Sequence, residues 1–245
     1  MKITPGLFEN AAIYVRNFNK IDVSKDRFDR KSSLFYIQNQ KYITKFLKYI
    51  NFSFDNYSVG NNYDTYRLLL KLFIKKEDFT WRRNIVKGLK THVFDNLSDD
   101  LKIVVDKYCL LFSESLDSFS WWIENIYTGN ENIEKILQGF KGEKMSIYYE
   151  YNILKIPKDL IEHTSLQNNI HGYDVKSALD KNHNINKKIE VKTYRQKNKE
   201  VKIYLTRKEW DTCIISENYI FHIWVLSNLN AKLFILNKDD IKPIL

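Results

Sequence analysis

The stretch KKIEVKTY, Lys187 to Tyr194, decides how the C-terminal part of this chain is read. Strand side chains alternate with a period of two, so Ile189, Val191 and Thr193 share one face while Glu190, Lys192 and Tyr194 share the other. The first face anchors a core. The second sets a carboxylate beside an ammonium group. The run YDVKSAL, Tyr173 to Leu179, reads as the strand before it, with Tyr173 and Val175 pointing away from Asp174. If these two strands are neighbours, Asp174 and Glu190 meet at a sheet edge.

Outward from there, short β-type runs continue as EVKIYLT (200–206), YIFHIWVLS (219–227) and AKLFILN (231–237). Between the first and second of these lies TRKEWDTCIISE, which opens with Thr206 as N-cap and Glu209 three residues on, a capping box. The expected order is helix, three strands, helix, strand, strand.

Upstream the texture is helical. In FYIQNQKYITKFLKYI, Tyr36, Ile43, Phe46, Leu47 and Ile50 recur at helical spacing, and in YRLLLKLFIKK so do Tyr66, Leu69, Leu70 and Phe73. Five to seven helices are expected before residue 140. Turn signals at GNEN (129–132), Gly139 and Gly142 mark the change of texture. The expectation is an N-terminal α-helical domain over residues 1–138 and an α+β or α/β domain with a mixed central sheet over 139–245.

Composition narrows the classes. The chain has 245 residues, 44% hydrophobic and 15% aromatic, with only 7 Gly and 3 Pro, which suits packed domains rather than a disordered chain. A net charge of +9 suits an anionic partner, nucleic acid first. The cysteines, Cys109 and Cys213, form no CxxC or Cys/His cluster, and the five histidines (His92, His163, His171, His183 and His222) show no metal-ligand spacing. No signal region or run of apolar residues long enough for a membrane span is present, so the chain reads as cytoplasmic. Nor is there a P-loop, GxSxG or GxGxxG pattern.

Two carboxylates held close repel unless a divalent cation sits between them, and oxygen ligands of this kind suit Mg²⁺. Such an ion activates water and offsets charge on a phosphoryl oxygen, while a neighbouring lysine orients the water or balances the phosphate. Asp174, Glu190 and Lys192 are therefore the parts that phosphodiester hydrolysis needs. An Asp with a later Glu-x-Lys also arises by chance in a lysine-rich chain, as an exposed cross-strand ion pair.

Five ordered pieces add to this pattern. GFKGEKMSIYYEYNIL, HGYDVKS, KIEVKT, IYLTRKEW and YIFHIWVL resemble in turn the GxxGE helix, GYDIxS strand, IEVK strand, LTxxEW segment and closing strand of the NO VEIN C-terminal domain. That domain is a branch of the PD-(D/E)xK superfamily. The resemblance covers roughly residues 139–227 and implies a restriction-endonuclease-like fold. It gives metal-ligand roles to Asp174 and Glu190, a catalytic role to Lys192, Mg²⁺ as cofactor with Mn²⁺ as substitute, and DNA endonuclease activity in restriction or anti-phage defence. In that setting double-strand cutting calls for a homodimer, and a methyltransferase or helicase is the expected kind of partner. The alternatives are a structure-selective repair or recombination nuclease and a non-cleaving nucleic-acid-binding module.

The superfamily often adds a carboxylate from its first helix. Glu143, in the GxxGE element, is the first candidate and Glu150, seven residues on, the second. Glu209 matches the LTxxEW glutamate, but its capping role accounts for it. For DNA phosphates the candidates are Arg195, Lys197, Lys199, Lys202 and Arg207 after the site, and Arg83, Lys87 and Lys90 on one face of a helix in WRRNIVKGLK. In that second segment Trp81 either stacks on a base or sits in the core.

Overall fold

The computed structural model describes residues 3–18, 30–57, 62–87, 93–107, 115–166, 171–179, 185–195, 202–227 and 230–241. Among them six α-helices begin before residue 140: α1 (Pro5–Phe18), α2 (Arg30–Tyr49), α3 (Asn62–Glu77), α4 (Asp99–Lys107), α5 (Leu116–Asn125) and α6 (Ile133–Tyr148). A seventh, α7 (Arg207–Ile215), stands among five strands, β1 (Glu162–His163), β2 (Val175–Ala178), β3 (Asn186–Arg195), β4 (Tyr219–Leu226) and β5 (Ala231–Asn237). The chain has an α+β fold.

Two compact units are present, residues 1–82 with 96–112, and residues 83–95 with 113–245. In the first, α1 starts on Pro5 behind Thr4, whose Oγ1 accepts the Leu7 N–H at 3.3 Å. α1 packs on α2, α3 and α4. Phe8 sits in this core with Phe46 and Tyr66, ring centroids 6.1 and 6.0 Å away. The periodic residues Ile43, Phe46, Ile50, Leu69 and Leu70 are all buried there.

The second unit holds α5, α6, the sheet and α7. Asn132, from the GNEN turn, caps α6 by accepting the Lys135 N–H. Phe119 of α5 stacks on Phe140 of α6, centroids 3.9 Å apart. A division at residues 138 and 139 falls inside the unbroken helix α6, and the compact units part earlier, after residue 112. The texture change seen in the sequence is the middle of a helix that turns from α5 to the sheet.

Strands lie in the order β1-β2-β3-β4-β5, antiparallel throughout except for the parallel pair β3 and β4, which α7 connects. The alternation in KKIEVKTY holds: Ile189 and Val191 join Val175 and Trp224 in the core beneath α6. On the opposite side Tyr219, Phe221, Ile223 and Cys213 form a second core. Cys213 is a buried free thiol, and Cys109 lies outside the described residues.

α6 can reach the sheet because of Gly142. A Cβ there would stand 1.8 Å from Thr193 Oγ1 and 3.3 Å from Val191 Cγ1, so only a glycine lets the helix cross β3 this closely. Trp224 Nε1–H donates to Ser146 Oγ at 2.9 Å and Gln138 Nε2–H to the Thr193 carbonyl at 2.6 Å, fixing the crossing on both sides.

Two expected elements differ. The run EVKIYLT supplies no strand among its described residues: 202–206 are irregular, because Ile203 and Leu205 turn into the second core as anchors instead of pairing. WRRNIVKGLK is a 3-10 helix over Thr80–Lys87, and at three residues per turn Arg83 and Lys87 do not share a face. Trp81 is buried and stacks on Phe79 at 5.3 Å, so it serves the core. Lys90 lies outside the described residues.

Candidate active site

β2 pairs with β3 so that Val175 faces Ile189, and one further step in that register sets Asp174 opposite Glu190. Asp174 lies just before β2 rather than within it. Its backbone N–H still donates to the Ile189 carbonyl at 3.0 Å, and its Oδ2 accepts the Val191 N–H at 2.8 Å. The aspartate side chain thus supplies the rung that the ending strand would have made. Upstream, Gly172 adopts φ +69, where a Cβ would meet Thr212 Oγ1 at 2.4 Å, so the chain enters Asp174 tight against α7.

Glu190 is 2% exposed. Lys192 Nζ lies 2.7 Å from Glu190 Oε1 and 3.1 Å from Glu209 Oε2. The capping box of α7 is present, with Thr206 Oγ1 accepting the Glu209 N–H and Glu209 Oε2 accepting the Thr206 N–H at 2.7 Å. One carboxylate oxygen of Glu209 therefore caps a helix and grips Lys192. Capping accounts for Glu209 in the sequence but hides this second partner, which only the fold brings near. Tyr219 was also not legible as a site residue: its hydroxyl donates to the Gly172 carbonyl at 2.8 Å and lies 3.4 Å from Glu190 Oε2.

Glu143 approaches from α6, with its Oε2 accepting from His163 Nε2 at 2.5 Å and from Ser165 Oγ at 2.6 Å. Glu150 goes elsewhere. Seven helical residues are about 10 Å of axis, which carries it to the far end of β2 and β3. There it is fully buried against Lys187 Nζ (2.6 Å) and Ser177 Oγ (2.7 Å), with His222 Nε2 at 3.7 Å. As second candidate for the helix carboxylate it is replaced by Glu143, since its charge is already matched by Lys187.

The electrostatics follow from crowding. Burial pushes the Asp174 carboxyl well above the ordinary range, and Glu190 and Glu143 push the same way against the Val191 N–H and Lys192. Burial pushes Glu190 up to about 8; Lys192 opposes this and Glu209 adds to it. Glu143 runs the other way. Burial would raise it, but the bonds from His163 and Ser165 and the charge of Lys192 hold it below the ordinary value. Burial disfavours the Lys192 ammonium, yet Glu190, Glu209 and Asp174 outweigh it and raise its pKa.

Glu190 is thus a buried acid and Asp174 a part-buried one, and each is pushed toward its neutral form. Among the described residues no three His, Cys, Asp or Glu side chains stand close enough to enclose a metal ion unaided. Mg²⁺ keeps several waters and is held by one or two protein carboxylates. Asp174 and Glu190 therefore suffice for a first hold, and a third carboxylate such as Glu143 would have to draw closer to join them. The donor set here, carboxylates without thiol or free imidazole, fits a hard cation of that kind.

The basic candidates are surface groups. Arg195 pairs with Glu134 at 2.5 Å and Arg207 with Asp211 at 3.0 Å, all four well exposed. Lys202, Arg83 and Lys87 are exposed as well, while Lys197 and Lys199 lie outside the described residues. His171 is exposed, its ring 5.7 Å from that of Tyr173.

The family model described as "Protein NO VEIN, C-terminal" matches residues 142–236. The match runs from Gly142 at the helix crossing to Leu236, the penultimate residue of β5, under half of the chain, and includes Glu143, Asp174, Glu190, Lys192 and Glu209. No curated protein and no solved structure matches the chain. Among the described residues no helix is long and apolar enough to cross a membrane.

Proposed function

We propose that the second unit is a divalent-metal-dependent nuclease domain hydrolysing DNA phosphodiester bonds. The observation that carries this reading is the register that sets Asp174 opposite Glu190 with Lys192 two residues along the same strand face. The NO VEIN C-terminal match supports it, with restriction or anti-phage defence as the proposed setting.

Asp174 and Glu190, with Glu143, would hold Mg²⁺ or Mn²⁺. Bound there, the ion lowers the pKa of a water and offsets charge on a phosphoryl oxygen. Asp174 is oriented for this by the Val191 N–H, and Glu190 by Lys192. Lys192 keeps its proton between Glu190 and Glu209, so its part is that of a fixed positive charge against the phosphate rather than a base. Glu209 ties that charge to the N-terminus of α7. Arg195, Lys202 and Arg207 supply exposed cations for neighbouring phosphates, and their exposed acidic partners are exchanged at little cost.

The test is cleavage of linear, supercoiled and branched DNA by the full chain with Mg²⁺, Mn²⁺ or EDTA, beside Asp174→Ala and Lys192→Ala. Metal-dependent cleavage should fall at least about a hundredfold in each variant. Cleavage that survives both removes the site. Metal-independent DNA binding without cleavage assigns the fold to a binding module, and preference for branched DNA assigns it to repair.

A further inference from the structure

The segment around β1 belongs to no motif, yet it touches two of the three carboxylates. β1 pairs with β2 so that His163 faces Val175, and the chain then runs past Asp174. There the Thr164 and Ser165 N–H groups both donate to the Asp174 carbonyl, at 2.9 and 3.2 Å. From the same three residues, the His163 and Ser165 side chains donate to Glu143 Oε2, at 2.5 and 2.6 Å. One short piece of backbone therefore holds the main chain of Asp174 and the side chain of Glu143.

The grip is one-sided. Both donors end on Oε2, and Oε1 makes no hydrogen bond among the described residues and is not sealed from solvent. The His163 ring is fixed by stacking on Phe140, centroids 5.4 Å apart, and its Nδ1 is buried without a hydrogen-bond partner. An ionised carboxylate only accepts, so the proton facing it is on Nε2. Glu150 is also gripped at Oε2 alone, but its Oε1 is sealed from solvent, whereas Oε1 of the part-buried Glu143 is open. Here one oxygen is fully occupied and the other is left to a ligand.

We propose that His163 and Ser165 are positioning residues that fix Glu143 as the third carboxylate of the cation site, holding Oε2 so that Oε1 is presented to the ion. Neighbours that orient metal ligands in this way typically contribute 10–100-fold to affinity. This rests on the reading of Asp174 and Glu190 as a cation site.

Mn²⁺ binding to the metal-free full chain, followed by electron paramagnetic resonance and titration calorimetry, tests it, with urea melts to verify folding. His163→Leu and Ser165→Ala should each weaken Mn²⁺ about tenfold. His163→Gln, whose amide nitrogen donates from nearly the place of Nε2, should stay within about threefold of the parent. In a Glu143→Ala background His163→Leu should change nothing further. Parent-like affinity in both His163→Leu and Ser165→Ala overturns the proposal. So does parent-like affinity in Glu143→Ala; if Asp174→Ala then abolishes binding, the cation site itself stands. Binding unchanged in Asp174→Ala overturns both.

Discussion

Two glycines three residues apart in α6 should respond to the same substitution with opposite signs. Both lie inside Ile133–Tyr148, where Gly→Ala ordinarily stabilises a helix by about 0.8–1 kcal/mol. At Gly139 an added Cβ meets nothing within 4 Å, so Gly139→Ala should realise that gain. At Gly142 the Cβ would lie 1.8 Å from Thr193 Oγ1, 3.1 Å from Thr193 Cβ and 3.3 Å from Val191 Cγ1. Thr193 can swing its hydroxyl aside by rotating χ1. Its Cβ and the Val191 methyl cannot retreat so simply, because both sit on the central strand. Overpacking of this sort costs about 1–3 kcal/mol. Less the helical gain, Gly142→Ala should destabilise by roughly 0–2 kcal/mol, and the two variants should differ by roughly 1–3 kcal/mol. Urea melts with matched m-values measure this, and Gly142→Ala with Thr193→Ala should show a coupling of about 1 kcal/mol, since that pair removes the shortest contact. If Gly142→Ala stabilises the protein as Gly139→Ala does, α6 does not cross β3 at this point. The placement of Glu143, one residue along, would fall with it.

The remaining predictions concern charge. Glu190 has an ordinary value of 4.5 in the unfolded chain and about 8 in the folded one, so the folded chain keeps a proton that the unfolded chain releases. Its contribution to stability is present below pH 4.5 and is lost as pH rises to about 8. Metal-free protein should therefore weaken across that window, with Glu190→Gln flattening the slope; an unchanged slope would mean that Glu190 is not the titrating group. The buried Lys187–Glu150 pair makes a separate prediction. Lys187→Met strands Glu150 and should destabilise by about 3–5 kcal/mol, whereas Lys187→Met with Glu150→Leu should recover most of the loss. Urea melts in which the double variant is as unstable as the sum of the singles would refute the pairing.

How much of this was legible beforehand depended on whether a residue's partner was local. Strand alternation fixes which side chains share a face, so Glu190 and Lys192 could be paired from KKIEVKTY alone. The Thr206–Glu209 capping box is likewise local and was readable. The five strands were only partly so. EVKIYLT has the composition of a strand, but its described residues 202–206 use Ile203 and Leu205 as anchors, and composition does not record the absence of a pairing partner. β1 is two residues long and has no pattern at all. That is why His163, twenty residues from Glu143, gave no signal among five histidines. Glu150 matched Glu143 in spacing and chemistry; what separates them is Lys187, a residue that the sequence places with the solvent and the fold places in the core.

The rung that Asp174 makes with its own side chain also ties two observables together. The Val191 amide is bonded to a carboxylate where its neighbours are bonded to carbonyls. Its proton is therefore a resident gauge of that carboxylate. In a nuclear magnetic resonance spectrum its shift and exchange rate would follow Asp174 through protonation and cation loading, while flanking amides, held by ordinary rungs, would supply the baseline. The state of the site could then be read from one backbone position without adding any label to it.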